Sequence, residues 1–128
     1  MKKLTFLGSI ILCLLVTACS KKNDGIPTPA DHTIKITASG TAGFAAVIYT
    51  AGTFGGVQKE VKNVTVAAGT SFEFSSDQPS GSFVFLKLSS DVSNKITYKI
   101  YDNGTIAMQE VGKIFTTHGT STLTYQVQ

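Results

Sequence analysis

The 128-residue chain has no arginine and no tryptophan, and it holds only two histidines, two cysteines and three prolines. Charged residues make up 15% of it, well under the usual quarter. Each scarcity excludes something. Without arginine, and with a formal net charge of only +3, the chain lacks the basic surface of a nucleic-acid binder. Two cysteines cannot build a disulfide framework or a four-ligand zinc site. Two isolated histidines give no metal-binding spacing. Without tryptophan, the largest stacking face for sugars is missing. The hydrophobic fraction, 42%, is too high for a disordered chain. What remains is one globular domain rich in serine and threonine.

The N-terminus reads as an address. Lys2-Lys3 precedes an apolar run from Leu4 to Val16, followed by Thr17-Ala18-Cys19. That order matches the n- and h-regions of a secretory signal. The run falls short of the roughly 20 apolar residues that cross a bilayer. Val16-Thr17-Ala18-Cys19 resembles a bacterial lipobox: an aliphatic residue, two small residues, then cysteine. Small residues let a peptidase take extended backbone into a tight site, and only a thiol forms the thioether to diacylglycerol. Residues 1–18 are therefore expected to be a lipoprotein signal peptide, with Cys19 carrying the lipid. A plain signal peptide with an incidental Cys19, or an uncleaved anchor, are the alternatives. Cleavage would remove Lys2, Lys3 and Cys13, leaving nine lysines against eight acids and no free thiol. Two or three acyl chains hold a protein at a membrane stably, whereas one does not. The expected location is the bacterial envelope, with Ser20 after Cys19 favouring the outer membrane, on its periplasmic face or at the cell surface.

Residues 19–32 are expected to form the lipidated cysteine and a flexible tether. Ser20 to His32 is polar, holds two prolines and a glycine, and lacks periodicity. Stretched out, it reaches about 45 Å.

From residue 33 to 128 the apolar period is two. Ile34, Ile36 and Ala38 alternate with polar residues, as do Phe72 and Phe74, Ile96, Tyr98 and Ile100, and Leu123, Tyr125 and Val127. Two runs, Phe44–Tyr49 and, but for Lys87, Phe83–Leu88, are apolar on both alternations. Val61 and Val64 are out of phase by one, which predicts a bulge or a bend between two short strands. Asp102-Asn103-Gly104 is a tight-turn signal that pairs 95–101 with 105–111. The pattern predicts an all-β fold: an antiparallel, immunoglobulin-like β-sandwich of seven to eight short strands. Phe72, Phe74, Phe83 and Phe85 are expected in its core.

Chemistry is hard to find in this domain. No carboxylate pair stands out for acid–base work, and Asp102 is read as a hairpin residue. No serine sits in a nucleophile elbow, and His118 is expected to be an exposed loop residue. The glycine-rich segments 39–43 and 52–56 open no helix and read as turns rather than phosphate cradles. The expectation is a non-enzyme with no catalytic residue, cofactor or metal. Tyr49, Phe54 and Tyr101 are the rings expected at the surface, and they form a candidate ligand-binding set.

The phrase from Ile96 to Ile106, the run Ile34 to Ser39, and Ala46-Val47-Ile48-Tyr49-Thr50 before a glycine-containing turn resemble the mycobacterial membrane protein small (MmpS) family. The resemblance covers most of 33–128 as short motifs. It implies a small exported β-sandwich acting as an accessory to lipid and drug exporters. Members of that family carry a membrane helix where this chain has its lipobox-like segment. They also carry cysteines at the positions matching Tyr98 and Tyr125, whose rings would then fill the space of a disulfide if their strands are neighbours. Two functions follow as expectations. In one, the domain is monomeric, sits at the membrane through lipidated Cys19, and binds another envelope protein. In the other, it binds a surface glycan or small ligand.

Overall fold

A computed structural model describes residues 30–128. Eight strands form: β1 (Asp31–Gly40), β2 (Phe44–Ala51), β3 (Lys59–Val66), β4 (Ser71–Pro79), β5 (Phe83–Ser90), β6 (Asn94–Asp102), β7 (Thr105–Phe115) and β8 (Gly119–Gln126). They build two antiparallel four-stranded sheets, in the orders β4-β1-β6-β7 and β3-β2-β5-β8. This is the β-sandwich that the two-residue period predicts. The strand order has its own character. Only β2–β3 and β6–β7 are hairpin neighbours, and every other pairing joins strands distant in sequence. Immunoglobulin sheets run ABED and CFG.

The core lies between the sheets and comes chiefly from the four central strands. Ile34, Ile36 and Ala38 on β1 and Ile96, Tyr98 and Ile100 on β6 face Phe44, Ala46 and Ile48 on β2 and Val84, Leu86 and Leu88 on β5. The isoleucines and leucines of this set are fully buried, and each is worth roughly 2 kcal/mol of transfer free energy. β3 carries the expected bulge. Its register shifts opposite Ile48 and Tyr49, which lets out-of-phase Val61 and Val64 both pack on the core within one continuous strand. Asn103 and Gly104 take φ of 48° and 81°, both positive as a two-residue hairpin turn requires.

One core expectation is corrected. Phe72 is buried in the core and Phe74 packs against it. Phe83 and Phe85 instead alternate with Val84 and Leu86, so they stand on the outer face of the second sheet, where Phe85 is still buried and Phe83 partly exposed. With apolar residues at every position from Phe83 to Leu86, alternation leaves two choices, and the branched set turns inward.

The strand boundary at the N-terminus also differs. Asp31 and His32, read as tether, are the first residues of β1 and pair with Pro79 and Gln78. The start of β1, the β2–β3 loop, the β4–β5 turn, the β6–β7 hairpin and the end of β8 share one end of the sandwich. Ser80 N–H donates to the Ala30 carbonyl, and Gly81 N–H to that of Val127, tying the two sheets there. That end is called proximal below.

Candidate functional site

At the proximal end, three side chains from three strands meet around one carboxylate. Asp102 Oδ1 accepts from His32 Nδ1 at 2.5 Å, and Asp102 Oδ2 accepts from the Tyr125 hydroxyl at 2.6 Å. His32 and Asp102 are both mostly buried. Burial pushes the Asp102 carboxyl up. The hydrogen bonds from Tyr125 and His32, the His32 charge and the Gln128 backbone outweigh it, and the carboxyl is held below its ordinary value. Burial and the same carboxylate push the Tyr125 hydroxyl far up. Asn103 completes the lacing: its Oδ1 accepts from Thr33 N–H at 2.9 Å, and its own N–H donates to the Thr33 carbonyl. With both carboxylate oxygens engaged, the group is a clasp joining β1, β6 and β8. Asp102, read from sequence as a turn residue, is its centre.

A second buried polar centre closes the opposite, distal end. Asn94 Oδ1 accepts from Ala42 N–H at 2.9 Å and from the Thr41 hydroxyl at 3.1 Å. Its Nδ2 donates to the Ala42 carbonyl at 2.9 Å and lies 3.2 Å from the Ser90 hydroxyl. This one amide substitutes for a strand neighbour in the β1–β2 loop.

The expected ligand-binding rings are only partly brought together. Tyr49 stands on the outer face of the second sheet, directly opposite Phe85. Phe54 sits in the β2–β3 loop, 76% exposed, with its ring centroid 5.4 Å from that of Phe83. Phe83 stacks on Phe85 at 6.5 Å. Tyr49, Phe85, Phe83 and Phe54 thus form one aromatic row. Tyr101 does not join it. It lies on the outer face of the first sheet, where Lys35 Nζ is 5.8 Å from its centroid and pairs with Glu73 at 2.9 Å. Beside it is a shallow polar depression of about 250 Å³ lined by Thr37, Ser39, Ser71, Thr97 and Lys99.

Tyr98 and Tyr125 belong to different sheets, so their strands are not hydrogen-bonded neighbours. Their hydroxyls have separate partners. Tyr98 donates to Glu110 at 2.9 Å, and burial together with that carboxylate pushes it up to about 12.

Sequence reasoning does not single out the β7 edge. β7 ends the first sheet, so one side of its eleven-residue backbone has no strand beside it. Ile106, Val111 and Ile114 stand exposed along it, Val111 by 75% and Ile114 by 70%. Their spacing of five and three fits neither a strand nor a helix. Register shifts against β6 and the left-handed Gly112, with φ of 65°, explain that spacing. The other edges are polar: Lys59, Glu60 and Lys62 on β3, Ser71, Glu73, Ser75 and Asp77 on β4, and Thr120, Thr122 and Thr124 on β8.

Cys19 and the signal segment lie outside the described residues. Among the described residues no helix is long and apolar enough to cross a membrane, and no cluster of three potential metal ligands occurs. No protein-family model matches the chain, and no curated protein or solved structure gives a significant match.

Proposed function

We propose that this chain is a lipid-anchored, non-enzymatic protein of the bacterial envelope whose sandwich docks another envelope protein along β7. The observation that carries the docking is the contrast among the four sheet edges. Two, β3 and β4, carry charge, which discourages strand pairing, and the third, β8, presents threonines and no exposed large apolar side chain. The fourth, β7, carries Ile106, Val111 and Ile114 in the open. An unpaired backbone edge with an apolar row is what a partner strand or apolar ridge can use. The bulges twist that edge, so a partner must match its twist, which favours one partner over indiscriminate association. Lipobox-like Val16–Cys19 supports the anchor, and the MmpS resemblance supports a transport-accessory role.

The glycan or small-ligand reading rests on the aromatic row Tyr49–Phe85–Phe83–Phe54. The placement of Tyr101 on the other sheet removes the third ring on which that reading relied.

A photo-reactive phenylalanine analogue installed at Val111 tests the docking, with Thr124 on the β8 edge as the control position. Irradiated in cells that make the protein natively, the Val111 variant is expected to give a discrete cross-linked species, and the Thr124 variant none. No adduct from Val111, or equal adducts from both positions, would contradict docking on β7.

A further inference from the structure

We infer that the tip of the β2–β3 loop, Phe54 and Val57, seats in the surface of the bilayer to which Cys19 is anchored. The inference deepens the lipid-anchor reading and rests on it. Three observations lead there.

The first is composition and exposure. Ala51 to Gln58 contains no charged residue, and it presents two of the most exposed apolar side chains of the domain, Phe54 at 76% and Val57 at 94%. A loop tip in water gains nothing from such residues. An aromatic and an aliphatic side chain on one loop suit the boundary between headgroups and acyl chains.

The second is support. Phe54 is not a loose side chain: it leans on Phe83, which stacks on Phe85, itself buried. Gly56 N–H closes the turn onto the Thr53 carbonyl at 3.0 Å, and Gly55 takes φ of 75°. The turn therefore holds its apolar groups in place, with Phe54 braced on Phe83.

The third is where the chain enters the domain. β1 starts at Asp31 at the proximal end, the end that bears the β2–β3 loop. Eleven residues, Ser20 to Ala30, separate Cys19 from that start. As a coil such a length spans roughly 18 Å. The ten-residue β1 alone is about 33 Å long. An anchor at that typical distance favours the proximal end at the membrane, because bringing the distal end there would need the segment nearly fully extended. The same end carries exposed Asp31 and Asp77 beside exposed Lys59 and Glu60, so it has no basic excess. Contact through Phe54 and Val57 is therefore apolar rather than a charge attraction, and zwitterionic lipid suffices for it.

The absence of tryptophan makes the test direct, because Phe54→Trp introduces the only indole in the chain. The full lipidated variant is purified from its native membrane, its intact mass is recorded, and it is reconstituted into phosphatidylcholine vesicles with plain or brominated acyl chains. Emission of Phe54→Trp is expected to shift to the blue and to lose most of its intensity in the brominated lipid. Ile114→Trp, exposed near the distal end of β7, is expected to emit equally in both. Val57→Trp repeats the readout at a residue with almost no packing to disturb. Acylated, vesicle-bound protein in which neither Phe54→Trp nor Val57→Trp is quenched would overturn the loop contact and leave the anchor standing. Equal quenching of Phe54→Trp and Ile114→Trp would overturn the end-on placement. A mass without acyl chains would remove the anchor, and the loop contact with it.

Discussion

Replacing Asp102 with Ala is expected to lower the melting temperature by roughly 15 °C at neutral pH. The carboxylate accepts from His32 and from Tyr125, and hydrogen bonds to a charged group are each worth about 1.5–3 kcal/mol. The variant loses both and leaves the mostly buried His32 and the Tyr125 hydroxyl without their acceptor, a cost of about 3 kcal/mol. In a domain of about a hundred residues, 1 kcal/mol moves the melting temperature by about 4–8 °C. Asp102→Asn keeps one acceptor and is expected to lose about half as much as the alanine variant. The pH dependence follows from the direction of the shift. The folded-state carboxyl is held below its ordinary value of 3.8, so its contribution is complete above that value. It is lost as the pH falls from there through the folded-state value. Thermal melts at pH 7 and pH 3, followed by circular dichroism, check this. The gap between wild type and Asp102→Asn should shrink in acid, and a gap independent of pH would show that the clasp does not depend on charge.

Asn94→Ala is expected to cost about 3 kcal/mol, because the buried amide is the partner of a backbone N–H and a backbone carbonyl that have no strand beside them. Asn94→Asp separates the contributions. It keeps the acceptor for Ala42 N–H but replaces the donor to the Ala42 and Gly43 carbonyls with a carboxylate oxygen. At neutral pH it should therefore be at least as damaging as the alanine variant. It should recover part of its stability in acid, where a protonated carboxyl can donate again. Hydrogen exchange at Ala42 is the local readout: its amide should lose protection in Asn94→Ala, where its acceptor is gone. Unchanged protection would mean that the β1–β2 loop is held by something other than Asn94.

The sandwich is legible in the sequence because period two is a direct imprint of a sheet with one buried face. Ile34, Ile36 and Ala38 announce β1, and Asn103-Gly104 announces the β6–β7 hairpin. Alternation says nothing where both faces are apolar, which is why Phe83 and Phe85 are expected between the sheets and stand on the outer face of the second, Phe85 buried there. Strand order is not legible either, since β1–β6 and β2–β5 pair residues tens of positions apart. The clasp has the same origin: His32 and Asp102 are separated by 70 residues, and neither is unusual among its neighbours. Tyr49 and Phe54 are recognisable as surface rings, but which sheet each ring occupies depends on that long-range order, and Tyr101 goes to the other sheet. The β7 row escapes notice because its bulges break the alternation by which exposed and buried positions are told apart.

The proposed anchor and the proposed docking edge describe one arrangement. The proximal end carries the entry of the chain and the Phe54–Val57 tip, and β7 runs from that end to the distal one. A domain tethered this way would present its apolar edge along a line rising from the membrane, where an envelope partner would meet it at high local concentration.

Intact mass spectrometry of the protein purified from its native membrane tests this account most directly. The account predicts a polypeptide that begins at Cys19 and carries added acyl mass. A mass that still includes Leu4 to Val16, or one that begins beyond an unmodified Cys19, would contradict it.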